Sequence, residues 1–458
     1  MKIYLVTEIL PREIIGNLLL ASLLASRGHF AIILNQEDAF VLSSKSVSGT
    51  TIFHTKSIHY APERVLQHKK LRDQGFLITS QDQETFSVVR DVAARVSERF
   101  CEENLHLVDR CFVWSEFEAA EISRQFPKHA SKIAVTGSPR EDIWGKRFRS
   151  LAGNQSSGRK CILIVSNNDG MNHRLRHWEQ MLMIKSVIGS ETDPAVFDHY
   201  VEDVVDGLRS QLRLSRVALK LADEFRDCKV VIQPKKNEIV DSWWQTLQAV
   251  DKGNGTRANL FIDNSKFLEE SIHGSDVVIN SNSTAGLTAL LGSVPLISLG
   301  PTFSFIGEIG LQLEREEDVV SAVGQALDDP KGFISQYEAL SRSKLGGRVR
   351  HPSATMAADE IVKELESLDS KNARSRLTYR DALLYFAPGS FRRLAYAIKS
   401  LMNLKPPVRP HSEMLTTISQ SRVNELLAHV YSGLGTDLGV KASVRGRRNI
   451  VVRPRYVP

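Results

Sequence analysis

The strongest constraint on the fold is an alternation of short apolar runs with helical patterns. Lys2 to Val6 is a strand pattern, and Pro11 interrupts the chain after it. Residues 12 to 27 then read as a helix that stops at Gly28, where a left-handed cap suits glycine. Phe30 to Leu34 is the next strand pattern. A strand, a helix and a strand in close succession predict a parallel sheet. The series continues through Ile52 to His54, Phe76 to Thr79, a charged helix over 86 to 106, Cys111 to Trp114, Glu116 to Gln125 and Ile133 to Thr136. LAGNQSSGRK (151–160) reads as a linker. A second series begins at Cys161 to Val165. It runs through a helical 176 to 225, Val230 to Gln233, Leu260 to Ile262, Val277 to Asn280 and a helix from Thr284 to Leu291. Leu296 to Leu299 is its last clear strand, and a helix over 353 to 365 comes next.

A chain of 458 residues with 42% hydrophobic content is too long for one ordinary core. Three regions are expected: an N-terminal Rossmann-like lobe (1–152), a second Rossmann-like lobe (160–368) and a basic, amphipathic, partly disordered extension (369–458). No apolar run reaches the ~18 residues that span a bilayer. IIGNLLLASLLA (14–25) reads as a buried helix, so a cytoplasmic protein is expected. Cys101, Cys111, Cys161 and Cys228 are scattered and read as small buried hydrophobes. Charge is uneven. Residues 371 to 458 hold 16 Lys/Arg against 4 Asp/Glu, a net of +12 in a chain of net +6, which leaves −6 elsewhere. Such a tail is expected to meet something anionic.

Four segments place polar residues where such sheets do chemistry, beyond the carboxyl ends of strands. The first is the turn after Val277 to Asn280. Ser281, Asn282, Ser283 and Thr284 offer hydroxyls and backbone N–H groups at a helix start, and Gly286 would admit a close backbone approach to a phosphate. Helix capping by Ser283 or Thr284 explains the same residues. In the second, ILIVSNNDGMNH (162–173), Asp169 is the sole carboxylate, with Asn168, Asn172 and His173 placed to orient substrate. A solvated cap is the plain alternative. The third, VIQPKKNE (231–238), offers Gln233, Lys235 and Lys236 to a phosphate or sugar, or is a surface turn. The fourth, TGSPRED (136–142), carries Arg140, which could reach a ligand or pair with Glu141 or Asp142. Arg12 and Glu13 come after the first strand. Glu13 is a candidate base or acceptor contact, and Glu84 is similar. Glu269 and Glu270 could touch a donor ribose or be helix-surface charge. No HExxH-type His pair and no G-x-x-x-x-G-K-[ST] loop is present.

The run STAGLTALLGSVPLISLG (283–300), with a Gly-Leu about ten residues on, resembles the signature of bacterial capsule polysaccharide biosynthesis proteins, including Kdo transferases that use CMP-Kdo. REIIGNLLLASLLASRGH (12–29), FHTKS (53–57), QDQE (81–84), VWSEFEA (113–119) and VTGSPREDI (135–143) resemble a surface carbohydrate biosynthesis family. The two resemblances cover roughly residues 1 to 365. They imply a GT-B-like α/β fold, two Rossmann-like lobes with a cleft between them, and a glycosyltransferase. Its partners would be a nucleotide-sugar donor and a polysaccharide or lipid-linked acceptor. No cofactor, no metal and no nucleic acid is implied. The donor would lie on the second lobe at Ser281 to Gly286 and Gln233, and Asp169 would be catalytic. Related transferases usually carry a His-Pro where this chain has Gln233-Pro234. Residues 391 to 405 have the make-up of an interfacial helix, which would put the enzyme on the inner membrane face, or of a core helix packed on the second lobe. A sugar-nucleotide 2-epimerase and a non-catalytic binding protein are the competing classes.

Overall fold

The computed structural model describes residues 1–40, 42, 50–59, 61–85, 92–152, 158–167, 171–173, 180, 194–251, 257–300, 305–349, 355–372, 417–445 and 449–455. The chain is α/β, with two Rossmann-like lobes. They form two compact units: Met1–Ser87, Asp91–Ile143 and Gly347–Pro458 in unit 1, and Val88–Arg90 with Trp144–Gly346 in unit 2.

Unit 1 is built on an eight-stranded sheet of order β13-β14-β2-β1-β3-β4-β5-β6. Its parallel strands are β1 (Lys2–Thr7), β2 (Phe30–Asn35), β3 (Thr51–Thr55), β4 (Leu77–Gln81), β5 (Arg110–Val113) and β6 (Ile133–Val135). β1 is buried along its whole length, as a central parallel strand covered on both faces must be. The Leu10–Ser26 helix is buried from Ile14 to Ala25, so the IIGNLLLASLLA run is a core helix. Gly28 takes φ +85 in the turn after that helix.

Unit 2 holds a six-stranded parallel sheet of order β12-β11-β10-β7-β8-β9. The strands are β7 (Cys161–Val165), β8 (Lys229–Gln233), β9 (Leu260–Ile262), β10 (Val277–Asn280), β11 (Leu296–Leu299) and β12 (Leu311–Leu313). β12 is an addition to the expected series. It is three residues long and partly exposed, too short for a pattern.

The expected boundaries need three corrections. Trp144 to Ala152 belong to unit 2, because Trp144 is buried there and the Trp144 carbonyl sits 3.2 Å from where a Cβ on Gly292 would lie. Arg149 adds a bond to the Ser293 carbonyl at 2.8 Å. The Ala357–Asn372 helix, expected in the second lobe, belongs to unit 1. Both carboxylate oxygens of Asp142 accept its first N–H groups, from Ala357 and Ala358, at 2.9 Å each.

The third correction concerns the C-terminus. Residues 417–445 and 449–455 are not a loose extension. They supply the Gln420–Leu434 helix, β13 (Val440–Arg445) and β14 (Asn449–Pro454), and β14 pairs antiparallel with β2. Ile450 and Val452 are fully buried there. The outer edge of β13 is closed by the Gln420 amide, which donates to Ala442 O at 3.0 Å and accepts from Val444 N at 2.7 Å. The 391–405 segment lies outside the described residues. Among the described residues no helix is long and apolar enough to cross a membrane.

Candidate functional site

Each unit gathers polar groups beyond the carboxyl ends of its strands. In unit 2 the ends of β7 and β10 are tied together. The Asn167 Nδ2 donates to the Asn282 carbonyl at 2.8 Å, and Asn282 takes φ +54, a conformation asparagine tolerates. Asn280 brackets the turn. Its Oδ1 accepts from Ser283 N at 3.2 Å and its Nδ2 donates to Ser283 O at 3.1 Å. Ser281 and Asn282 are half-buried, and Thr284 is exposed. Ser281 reaches the Ser210 hydroxyl at 3.4 Å. Capping accounts for Ser283, whose Oγ accepts from Ala285 N at 3.4 Å. It does not account for Thr284, whose side chain makes no cap bond.

Gly286 differs from expectation. It is buried in the Ala285–Leu291 helix, and its N–H is spent on the Ser283 carbonyl at 3.0 Å. It therefore offers no amide to a ligand.

Gln233 ends β8 and is buried. Its Nε2 donates to the Lys266 carbonyl at 3.3 Å, and its Oε1 has no partner among the described residues. The group left over is thus an acceptor, which suits a hydroxyl or N–H rather than a phosphate oxygen. Lys235 and Lys236 are exposed on the turn after β8, and the Lys236 ammonium bonds the Asn264 carbonyl.

Asn172 is also reassigned. It is buried, and its Nδ2 donates to Ile239 O at 3.2 Å while its carbonyl accepts Ile239 N at 3.1 Å. It staples residues 171–173 to the loop after β8, with His173 bridged to Glu238. Glu238, not singled out in the sequence, is a fully buried anchor of that loop. It accepts from Ser166 Oγ at 2.6 Å and Trp243 Nε1 at 2.8 Å. Glu269 and Glu270 are both buried rather than surface charge. Glu270 takes the Phe267 N–H at 2.9 Å, and Glu269 lies 3.4 Å from the Trp144 indole nitrogen. Asn168 and Asp169 lie outside the described residues.

Unit 1 assembles a dense charge cluster after β1, β3 and β4. Glu13 is fully buried. Its Oε2 accepts from Glu8 N at 2.7 Å, and its Oε1 faces Lys56 Nζ at 3.2 Å and Arg12 Nη2 at 3.4 Å. Both oxygens are occupied, so Glu13 holds Lys56 and Arg12 in place and does not reach solvent as a base would. Lys56 also pairs with Glu8, and Arg12 with Glu84. Arg99 bonds Glu84 at 2.8 Å and Asp82 at 3.3 Å.

The electrostatics come from burial set against pairing. Burial drives the Glu84 carboxyl upward, but Arg12, Arg99, Lys56 and Arg95 outweigh it and hold it far below the usual carboxylate range. Glu8 is likewise held low, burial being outweighed by Lys56, Arg64 and Arg12. Asp82 goes the other way, because its burial wins over Arg99. His59 is pushed down to about 4 by burial, with Arg64 and Arg99 adding to it. Lys56, Arg64, Asp82, Arg99 and His59 were not singled out in the sequence. Lys56 and Asp82 do lie within the FHTKS and QDQE segments.

Arg140 turns inward. It is buried, donates to the Gln83 carbonyl at 2.6 Å and lies with its Cγ 3.4 Å from where a Cβ on Gly16 would be. It fastens the loop after β4 to the loop after β6. Of its acidic neighbours, Glu141 accepts the Ser138 N–H at 2.9 Å and Asp142 caps the distant helix.

No family model matches the chain, and no curated protein matches it. Solved structures with a similar chain trace exist. The UDP-GlcNAc 2-epimerase of Methanocaldococcus jannaschii is 12% identical, covering 80% of this chain and 100% of its own, with a TM-score of 0.48. The wall teichoic acid polymerase TagF is 11% identical, covering 81% and 89%, also at 0.48. MnaA of S. aureus, solved with UDP, is 13% identical, covering 82% and 100%, at 0.44. The fold assignment rests on the strand orders of the two sheets.

Proposed function

We propose that the protein is a glycosyltransferase that moves a sugar from a nucleotide-sugar donor to a surface polysaccharide or lipid-linked acceptor. One observation carries this reading. At the carboxyl ends of β7 and β10 a braced polar turn presents Ser281, Asn282 and an uncapped, exposed Thr284. That is where open parallel α/β sheets take ligands. The donor phosphate would bond Ser281 and Thr284, with Lys235 near enough along the chain to neutralise charge. Gln233, through its unpartnered Oε1, would accept from a sugar or base donor group. Asp169, with Asn168 beside it, is assigned the reacting centre as base or nucleophile by its position after β7. Unit 1 would receive the acceptor.

A sugar-nucleotide 2-epimerase is the second reading. It is favoured by four carboxylates in one cluster, Glu8, Glu13, Asp82 and Glu84. Incubation with CMP-Kdo, CMP-sialic acid and a panel of UDP- and CDP-activated donors separates the two. A transferase turns over one donor in an acceptor-dependent way, and Asp169→Ala lowers that rate by about 100-fold or more while donor binding persists. An epimerase releases or isomerises the sugar without acceptor. Binding with no turnover of any donor overturns both readings and leaves a binding protein.

A further inference from the structure

Arg64 stands apart in the unit 1 cluster. Arg12, Lys56 and Arg99 each face a carboxylate within 4.0 Å. Arg64 is only 8% exposed, yet no carboxylate among the described residues lies within that distance. Among the described residues its one hydrogen bond runs from Nη1 to the Ser57 carbonyl at 3.1 Å, and its buried Nε has no partner there. Glu8, Asp82 and Glu63 act on it only from beyond that distance, and the first two already have cationic partners. Glu8 is taken by Lys56, and Asp82 by Arg99 and the Glu84 N–H. A guanidinium offers five donors in a planar fork, and burying it without an anion is costly.

His59 is tied to the same residue, Ser57, and feels the Arg64 charge. Its Nδ1 is 2.6 Å from Ser57 Oγ, which leaves Nε2 over. The ring is neutral at ordinary pH. If the Ser57 hydroxyl donates to Nδ1, Nε2 carries the hydrogen and is a second donor.

We propose that unit 1 binds an anionic group, a carboxylate or a phosphate, on the Arg64 guanidinium with His59 Nε2 as a second donor. The fork geometry of arginine suits both groups, which it takes in bidentate fashion. This rests on the reading that unit 1 receives the acceptor, and it makes that acceptor acidic at the part held by Arg64.

The test uses the full chain at constant ionic strength. Calorimetric titrations with methyl glucuronide and with glycerol 3-phosphate distinguish the two anions, and methyl glucoside is the neutral control. One anion is expected to bind, Arg64→Gln to weaken it at least tenfold and Arg64→Lys to recover part of the loss. Equal binding by wild type and Arg64→Gln, or no binding of either anion, overturns the site. If Arg64→Gln does not fold, phenylglyoxal modification of the wild-type protein with peptide mapping decides. Arg64 is expected to react and to be protected by the bound anion. An Arg64 that does not react, or reacts equally with the anion present, refutes the proposal, since a residue closed to that reagent is closed to a sugar acid. Donor turnover is scored separately. Anion binding through Arg64 without any donor turnover would sink the two enzyme readings and leave this site standing. Donor turnover with no dependence of anion binding on Arg64 would sink this site alone.

Discussion

Two histidines in unit 1 are fixed in their neutral form by what surrounds them. His54 is 3% exposed and its Nδ1 lies 2.9 Å from Thr79 Oγ1, while its Nε2 is buried without a partner. His68 is fully buried and its Nδ1 lies 2.8 Å from Asn104 Oδ1. The Asn104 Nδ2 already donates to the carbonyls of Ile58 and His59, so its oxygen must accept and His68 Nδ1 must carry the hydrogen. Burial pushes both rings down to about 4. Their folded values lie below the unfolded value, so the unfolded chain binds more protons across that window. Stability is therefore full above about pH 6.5 and falls as the pH drops towards 4, by on the order of 3 kcal/mol per ring. Ring resonances of both histidines should stay flat from pH 8 to pH 5 in the folded protein, while the urea midpoint of unit 1 drops over the lower part of that range. A ring that titrates near 6.5 in the folded state would contradict the assignment.

The element that most changes the picture of this chain is β14. It lies against β2 through Ile450, Val451 and Val452, opposite Ile33, Ile32 and Ala31. Asn449 secures its start. Its Oδ1 accepts from Asn35 N at 3.1 Å, and its Nδ2 donates to Asp38 at 2.6 Å. Stopping the chain at residue 416 would expose the edge of β2 and remove the burial of Ile450, Val452, Val423 and Leu426, each worth about 1.5–3 kcal/mol. Such a truncation should aggregate or lose the cooperative unfolding of unit 1. Asn449→Ala should cost about 2 kcal/mol through the buried groups it leaves unpaired. Size-exclusion chromatography and thermal unfolding check both, and a monomeric truncation with an unchanged midpoint would show that the hairpin is dispensable. The βαβ series was readable because it is local: apolar runs such as VVIN and LISL meet helical patterns within a few dozen residues. The β14 pairing was not, since Asn449 and Asn35 are 414 positions apart and the arginines around Ile450 to Val452 made the segment look like a solvated tail. The site divides in the same way. Arg12, Glu13 and Glu84 stand just after strands and could be picked out by position. Arg64 and Arg99 sit on helices rich in charge, where nothing local separates a guanidinium turned into the cluster from a solvated one.

The charge asymmetry belongs to the whole molecule, and the folded C-terminus redistributes it. Some of the basic charge after residue 371 is built into unit 1 and already paired, as in Arg455 with Asp437 at 2.6 Å and Arg422 with Glu425 at 2.8 Å. The remainder is concentrated between residues 373 and 416, where Arg374, Arg376, Arg380, Arg392, Arg393, Lys399, Lys405 and Arg409 are set against only Asp381 and Glu413. An enzyme with a lipid-linked acceptor would gain from such a segment, because each cation near an anionic leaflet contributes about 1 kcal/mol, and salt screens that attraction. The variant that isolates this effect replaces those eight cations with glutamine and leaves β13 and β14 intact. The unaltered protein should float with vesicles of phosphatidylglycerol and phosphatidylcholine at low salt, and should not float with phosphatidylcholine alone. The glutamine variant should lose at least a hundredfold in vesicle affinity, and 0.5 M salt should abolish the difference. Equal flotation of the two proteins would remove the membrane from the account. The basic charge would then have to act on something else anionic, and the acidic acceptor inferred for Arg64 would be the first to examine.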